Sequence, residues 1–280
     1  MCDVKKMKDK CVLVTGSGTG IGKEIALEFA RQGANVVFHY SHSSKGALAA
    51  VEEAKKLGIK TAAFKADFNE VDQVKQLANE ARKFLGNIDI LVNNAGITFN
   101  KPLLEVTQEQ FDVMFHVNIR AQFFLTQQVV KEMLKKGKGA ICNITSIHGI
   151  AGAPEHSVYA ATKGAIIAYT RSLAMELAYQ GIRVNAIAPG WINVENYAKI
   201  SDNYDEQASN EYAKKVIPVA RAGLPIDVAR LAVFLCSDDA EYIVGQTIVA
   251  DGGTTALMSL AADFRGKNPS HFGKGYLPGI

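Results

Sequence analysis

CVLVTGSGTGIG, the stretch at residues 11–22, decides how the chain is expected to fold. Its first five residues are apolar or β-branched and predict a buried β-strand, which a glycine-rich turn follows directly. Glycine permits a tight turn and a close backbone approach, and the helix predicted to follow offers unpaired N–H groups to an anion. The spacing is Gly-x-x-x-Gly-x-Gly, because Lys23 stands where the common Gly-x-Gly-x-x-Gly pattern has its last glycine. The residues expected to contact a dinucleotide are Gly16, Ser17, Gly18, Thr19, Gly20 and Ile21.

The rest of the chain alternates short β-rich runs with amphipathic segments. Further strands are predicted at residues 35–39, 61–66, 88–92, 140–145, 183–188 and 246–250. Helices are predicted at residues 22–32, 44–57, 70–85, 107–136, 158–180 and 224–237. Several strands are apolar throughout, which is typical of parallel strands covered on both faces, and intervening helices imply crossover connections. We therefore expect a single-domain α/β protein with a doubly wound parallel sheet of seven strands and helices on both faces.

Composition excludes several other classes. The 280 residues, 48% of them hydrophobic, can bury about three quarters of the unfolded surface without disulfides or metals. A net charge of +3 gives no reason to expect a nucleic-acid or membrane partner. Four cysteines lie far apart without a CxxC pair, which argues against a zinc site and fits a reducing compartment. Since no signal region and no run of about 18 apolar residues is present, we expect a cytoplasmic protein.

The end of the second predicted strand indicates which dinucleotide is preferred. NAD-binding proteins usually carry an acidic residue there, which holds the ribose 2′-hydroxyl. Here residues 39–45 read HYSHSSK, without a carboxylate, and the hydroxyls and Lys45 suit a 2′-phosphate. The sequence therefore predicts that NADP(H) is preferred, with use of NAD(H) as the alternative. The expected contacts in this stretch are Tyr40, Ser41, His42 and Ser43.

Candidate catalytic residues cluster at the predicted carboxyl edge of the sheet. Tyr159 and Lys163 are four residues apart, which places a phenol and an ammonium on one helix face. Ser146 ends the fifth predicted strand and residues 93–96, NNAG, end the fourth. Open α/β sheets bind their ligands at this edge. A free tyrosine has a pKa of about 10, so a phenol acting as a base at neutral pH needs a nearby positive charge.

In this order and spacing the motifs resemble the short-chain dehydrogenase/reductase family, over residues 10–253. The matching positions are 15–22, Asp67, 93–96, Asn118, Ser146, Tyr159, Lys163, 189–190 and 251–253. The resemblance implies a Rossmann-type fold and hydride transfer between a nicotinamide dinucleotide and a secondary alcohol or ketone. It implies that Tyr159 is the general acid/base and that Ser146 binds the substrate oxygen. Lys163 would lower the pKa of Tyr159 and bind the nicotinamide ribose, and Asn118 would hold a water.

The resemblance also implies further cofactor contacts and an assembly. The contacts are Asp67, Phe68, Asn94, Ala95, Gly96, Pro189, Gly190 and Ile192, together with Tyr159 and Lys163. Many relatives place threonine where this chain has Val194, which puts one nicotinamide contact in doubt. Helices like those predicted at residues 107–136 and 158–180 commonly pair between copies in this family, so a homotetramer is expected.

The substrate is expected to be small and polar. The predicted pocket residues are Ser146, His148, His156, Tyr159, Trp191 and Asn193, a polar set that a sugar or polyol would satisfy. One alternative is a 3-oxoacyl group on acyl carrier protein, although the positions that carry docking arginines in such reductases hold Lys131 and Met175 here. Another alternative is a dinucleotide-binding sensor without turnover. Residues 190–216 are interpreted as a substrate lid and residues 254–280 as an extension that either is disordered or folds over a neighbouring subunit.

Overall fold

The computed structural model describes residues 5–195 and 205–257 of the chain. Most of the predicted extension at 254–280 and the middle of the predicted lid at 190–216 lie outside the described residues. The lid's described parts are the segment up to Glu195 and a helix at Glu206–Val216.

The described strands form one parallel sheet. They are β1 (Cys11–Val14), β2 (Asn35–Tyr40), β3 (Thr61–Lys65), β4 (Ile90–Asn93), β5 (Gly139–Ile144), β6 (Ile182–Pro189) and β7 (Thr247–Ala250). The order across the sheet is β3-β2-β1-β4-β5-β6-β7, and every neighbouring pair is parallel. The strand order reverses between β1 and β4, which is the switch point at which such sheets bind ligands. The predicted doubly wound fold is confirmed.

Helices cover both faces of the sheet. They are α1 (Gly20–Arg31), α2 (Ser44–Lys55), α3 (Val71–Leu85), α4 (Gln108–Phe115), α5 (Ala121–Lys136), α6 (Ser157–Leu177), α7 (Glu206–Val216) and α8 (Pro225–Cys236). The helix predicted at 107–136 differs from the structure, because a π-helical turn at His116–Arg120 separates α4 from α5. Such turns widen the hydrogen-bond ladder and are frequent at functional sites. None of the described helices is long and apolar enough to cross a membrane.

Two apolar layers enclose the sheet. Phe29 of α1 and Val228 of α8 belong to one buried cluster, and Leu77 of α3 and Leu125 of α5 belong to the other. All four side chains are fully buried. Burying a side chain of this size stabilises a fold by roughly 1.5–3 kcal/mol, so the two layers hold the strands from both sides.

A buried polar network joins the strands to the helices that carry the candidate site. The side-chain amide of Asn93 donates to Asn143 Oδ1 at 3.0 Å and to Thr126 Oγ1 at 3.1 Å. The amide of Asn143 donates to Thr170 Oγ1 at 2.9 Å. All four residues are buried, so their hydrogen bonds do not compete with water. The network therefore connects β4, β5, α5 and α6.

Replacement of Asn143 by alanine is expected to lower the free energy of unfolding by about 2–3 kcal/mol, because buried donors and acceptors lose their partner. Asn79→Ala, at an exposed position of α3, is the matched control and should change that free energy by less than about 0.5 kcal/mol. Urea unfolding of both variants measures the difference. Equal stability of the two variants would show that the network is not needed.

Candidate functional site

The glycine-rich turn is held by an imidazole from the neighbouring strand. The backbone N–H of Gly16 donates to Nδ1 of His39 at 3.1 Å, and Nε2 of the same ring lies 3.1 Å from the carbonyl oxygen of Ala66. Since Nδ1 accepts, Nε2 carries the proton and donates to Ala66. Phe68 stacks on the His39 ring at 4.3 Å between centroids. The ring therefore ties the turn after β1 to the segment after β3.

Burial keeps His39 neutral. Its side chain is only 2% exposed, and desolvation lowers its pKa from 6.5 to about 4 against the smaller, opposing effect of the Ala66 carbonyl. Sequence reasoning missed His39, although a histidine closing the apolar run at residues 35–39 was a visible signal. The predicted contact Phe68 is placed as the ring that covers this imidazole.

Asn94 supports the turn from the other side. Its side-chain amide donates to the carbonyl oxygens of Thr15 and Gly16, both at 3.0 Å. The Thr15 hydroxyl oxygen in turn accepts the backbone N–H groups of Asn94 and Ala95, at 2.9 and 3.0 Å. A Cβ on Gly16 would lie 2.8 Å from the Ala95 Cα, so only glycine permits this approach. The motif at 93–96 therefore fixes the shape of the turn.

The glycine-rich turn leaves no room for a side chain at Gly18. A Cβ added to Gly18 would lie 2.1 Å from the Ser43 hydroxyl, which brings the turn against the start of α2. At the N-terminus of α1, the carboxylate oxygen Oε1 of Glu195 accepts a hydrogen bond from the Gly20 N–H at 3.5 Å. The other oxygen of Glu195 lies 3.5 Å from Lys23 Nζ. This helix terminus therefore binds negative charge, as a pyrophosphate site must.

The end of β2 is free of carboxylates in the structure as in the sequence. Ser41 directly follows the strand, and Ser43 occupies the N-cap position of α2 without a side-chain capping bond. The first turn of α2 contains Lys45 and no acidic residue. Asp67, after β3, accepts the Asn69 N–H at 2.9 Å through its carboxylate and donates its own backbone N–H to Gln73. These residues lie beside the glycine-rich turn, where the adenosine part of a dinucleotide would bind.

The candidate catalytic residues meet beyond the carboxyl end of β5. Lys163 is 4% exposed, and its ammonium donates to the Ile144 carbonyl at 3.0 Å. The same ammonium lies 5.5 Å from the centroid of the Tyr159 ring. Burial lowers the pKa of Lys163 to about 8. The Ser146 hydroxyl, 7% exposed, accepts the His148 N–H at 3.2 Å.

Asn118 lies in the π-helical turn and clamps the segment after β4. Its Oδ1 accepts the Ile97 N–H at 2.8 Å and its amide donates to the Ile97 carbonyl at 3.0 Å. The amide also donates to the hydroxyl of Thr162, next to Lys163 on α6, at 3.0 Å. A Cβ on Gly96 would lie 3.2 Å from Asn118 Oδ1 and 3.5 Å from Lys163 Nζ. Asn118 therefore joins the π-helical turn to the segment after β4 and to α6, and its contact with Thr162 was not predicted.

Two adjoining clefts open onto these residues. The smaller, about 220 Å³, is lined among others by Asn94, Gly96, Lys163, Pro189, Gly190, Ile192 and Val194. The larger, about 480 Å³, is lined by Thr98, Asn100, Ser146, Ile147, His148, His156, Tyr159, Gly190 and Trp191. Ser146, Tyr159, Thr98 and Gly190 line both clefts. The geometry therefore provides one elongated site with Tyr159 and Ser146 at its middle.

Most predicted substrate residues line the larger cleft, but Asn193 does not line it. The Asn193 backbone N–H donates to the Gly223 carbonyl at 2.8 Å. His148 and His156 do line the cleft, with their rings stacked at 4.3 Å between centroids. This stacking could not be predicted from the sequence, because His148 lies in a short helical turn after β5 and His156 directly precedes α6.

The chain matches a known protein family over most of its length. The short-chain dehydrogenase family model described as enoyl-(acyl carrier protein) reductase matches residues 16–255. Over 244 residues the chain is 41% identical to the 3-oxoacyl-[acyl-carrier-protein] reductase of Staphylococcus aureus strain N315, covering 87% of this chain and 97% of the relative. It is 38% identical over 254 residues to trihydroxynaphthalene reductase PfmaI of Pestalotiopsis fici, covering 88% and 89%.

Solved structures agree with the sequence relatives. Acetoin dehydrogenase YohF from Salmonella typhimurium superposes with a TM-score of 0.82 at 31% identity, covering 90% of this chain and 98% of that one. A Beutenbergia cavernae protein assigned as an NAD(P)-dependent gluconate 5-dehydrogenase, with NADP bound at low occupancy, has a TM-score of 0.83 at 33% identity, covering 91% and 100%. The chain belongs to the short-chain dehydrogenase/reductase family. It is an NAD(P)-dependent oxidoreductase.

Acid should weaken the fold through His39. Because the folded-state pKa of about 4 lies below the ordinary value of 6.5, the unfolded chain takes up this proton first as the pH falls. We expect His39 to remove roughly 2 kcal/mol of unfolding free energy between about pH 7 and 4.5. The comparison is with His39→Gln, which keeps a polar side chain without titrating in this window. Urea unfolding measures the free energy of unfolding of both proteins at each pH. The same pH dependence in the two proteins would contradict a buried, neutral imidazole at His39.

Proposed function

We propose that the protein interconverts a small polar ketone and its secondary alcohol with NADP(H), with Tyr159 as the general acid/base. The observation that carries this proposal is the meeting of the two clefts at Tyr159 and Ser146. The smaller cleft leads from the glycine-rich turn past Gly96 to Lys163. The larger cleft has room for a substrate beside the same phenol.

Residues of this chain fit the dinucleotide. The turn at residues 16–22 with the N-terminus of α1 would hold the pyrophosphate, and Asp67, Asn94 and Gly96 would border the adenosine. Ile192 and Gly190 would border the nicotinamide, with Val194 supplying an apolar contact in place of the family's threonine. When bound, the dinucleotide supplies the hydride for reduction or accepts it in oxidation.

The chain's own groups would handle the proton. Ser146 would donate a hydrogen bond to the substrate oxygen, and the Tyr159 hydroxyl would give its proton to that oxygen in reduction or remove it in oxidation. The Lys163 ammonium, 5.5 Å from the centroid of the Tyr159 ring, would stabilise a phenolate on Tyr159 by its positive charge.

Asn118 would act by positioning the residues around Lys163 and would not itself transfer a proton. It holds Ile97 by two hydrogen bonds and Thr162 by a third, which fixes the Gly96 backbone against the Lys163 ammonium. We propose that the water expected from the family binds in this region and links Lys163 to solvent. The buried ammonium, with a pKa of about 8, is mostly charged at neutral pH and remains able to exchange its proton.

The charge at the end of β2 supports a preference for NADP(H). Ser41, Ser43 and Lys45 offer donors to a 2′-phosphate at the N-terminus of α2, and no carboxylate opposes it. The alternative, comparable use of NAD(H), requires that these donors contribute little.

Ser41→Asp is expected to lower kcat/KM for NADPH at least tenfold while that for NADH falls much less. The new carboxylate would repel the 2′-phosphate and could bind a 2′-hydroxyl. Ser41→Asn has nearly the same shape without the charge and should retain the preference for NADPH. Steady-state kinetics with both cofactors measures the ratio, and a ratio that is equal in Ser41→Asp and Ser41→Asn would exclude this site for the phosphate.

The polar lining of the larger cleft supports a sugar, polyol or similar oxygen-rich substrate. Thr98, Asn100, Ser146 and the two histidines supply donors and acceptors, which an unbranched hydrocarbon chain would leave unpaired. Reduction of a 3-oxoacyl group on acyl carrier protein is the second candidate, favoured by the 41% identity to reductases of that name. Lys131 of α5 is exposed, as docking of an acidic carrier requires, whereas Met175 of α6 offers no charge.

The proposed assembly is a homotetramer, as the family resemblance implies, and the proposed location is the cytoplasm, which the scattered cysteines favour. Apolar side chains on α5 and α6 support pairing of these helices between copies, because Phe123 is 46% and Met175 66% exposed. Exposed large apolar side chains favour association between protein surfaces.

Tyr159→Phe is expected to lower kcat at least a hundredfold, since the variant loses the proton donor but keeps the ring. Tyr179→Phe is the control, because Tyr179 follows the same helix and is 84% exposed. NADPH binding, followed by fluorescence, should be similar in both variants. An unchanged turnover of Tyr159→Phe with any accepted ketone would assign proton transfer to another group.

A further inference from the structure

We propose that the substrate carries a carboxylate a few bonds from the reacting carbonyl, and that the stacked imidazoles of His148 and His156 bind it. This inference rests on the proposed function and narrows its substrate class to oxo acids and the corresponding hydroxy acids. It is carried by the arrangement of the two rings beside Tyr159.

The imidazole pair forms one wall of the larger cleft. The rings of His148 and His156 are nearly parallel, at 6° and 4.3 Å between centroids. Tyr159 meets both of them edge-on, at 5.7 Å from His148 and 6.4 Å from His156. One small substrate could therefore place its carbonyl at Tyr159 and Ser146 and a second polar group at the two imidazoles.

Hydrogen bonding sets the role of each nitrogen in His156. Its Nδ1 lies 2.7 Å from the carbonyl oxygen of Pro154, which can only accept, so Nδ1 carries a proton. Nε2 is then the nitrogen that remains for a ligand. Protonation at Nε2 keeps the bond to Pro154 and turns this nitrogen into a charged donor, which binds a carboxylate more strongly than a neutral donor does.

His148 is the member of the pair whose protonation burial disfavours. Burial lowers its pKa, and the positive form of His156 lowers it further. Like charges at this ring separation repel each other, so a positive charge on one ring disfavours a positive charge on the other. The neutral His148 ring then covers one face of a cationic His156.

Nothing else in the described lining of the larger cleft is a cation. The other lining residues are Thr98, Asn100, Ser146, Ile147, Gly190 and Trp191, besides Tyr159. The charged groups on the surrounding elements are Lys101, whose ammonium donates to Gln110, the exposed Glu155, Lys163 on the Ile144 carbonyl, and Glu195 beside Lys23. The N-terminus of α6 beside His156 disfavours an unpaired cation and favours an anion, so a carboxylate would stabilise the protonated pair.

Acetoacetate and methyl acetoacetate test the inference, because they share the ketone and differ in the charge of the second group. The measured quantity is the ratio of kcat/KM for acid over ester with NADPH. We expect the wild type to prefer the acid, and the ratio to fall at least tenfold in His156→Gln. Lys135→Gln, an exposed position near the end of α5, removes one positive charge elsewhere and should retain the wild-type ratio.

The outcomes separate the inference from the proposed function. Absence of NADPH oxidation with every carbonyl compound tested would contradict the proposed function itself. Turnover with a preference for the ester, or an acid-to-ester ratio that His156→Gln leaves unchanged, would overturn the carboxylate site alone. A preference for S-acetoacetyl-N-acetylcysteamine over both probes would overturn it in favour of the acyl-carrier candidate.

Discussion

The buried amides of Asn93 and Asn143 are the contact on which the site depends. They join β4 to β5, and their hydroxyl partners Thr126 and Thr170 join these strands to α5 and α6. A parallel sheet packs its helices through apolar side chains, which fix distance but tolerate sliding. Directional hydrogen bonds between buried groups add a fixed register, because a shift would leave donors without acceptors.

That register positions the candidate catalytic residues. Ser146 lies three residues beyond Asn143, and Lys163 lies seven residues before Thr170 on α6, so both are placed relative to the same four side chains. Burial lowers the pKa of two bases, but it leaves them in different charge states. His39 stays neutral and accepts a backbone N–H from the glycine-rich turn, whereas Lys163 stays mostly charged and donates to a carbonyl.

The sequence predicted the strands to within about two residues, because apolar runs bounded by turns are a local signal. It also predicted Ser146, Tyr159 and Lys163, which match family motifs at short spacing. What it missed depends on contacts between distant residues. The π-helical turn that places Asn118 has no distinct local pattern, and the pairing of Glu195 with the N-terminus of α1 joins residues 175 positions apart.

We propose that the two clefts are halves of one site, with Tyr159 and Ser146 between cofactor and substrate. A crystal structure of the protein with NADP+ and a bound substrate analogue would decide this. We expect the nicotinamide in the smaller cleft beside Gly96 and Val194. We expect the analogue's oxygen within hydrogen-bond distance of both Ser146 and Tyr159. An analogue bound away from these two hydroxyls, or a nicotinamide outside the smaller cleft, would contradict it.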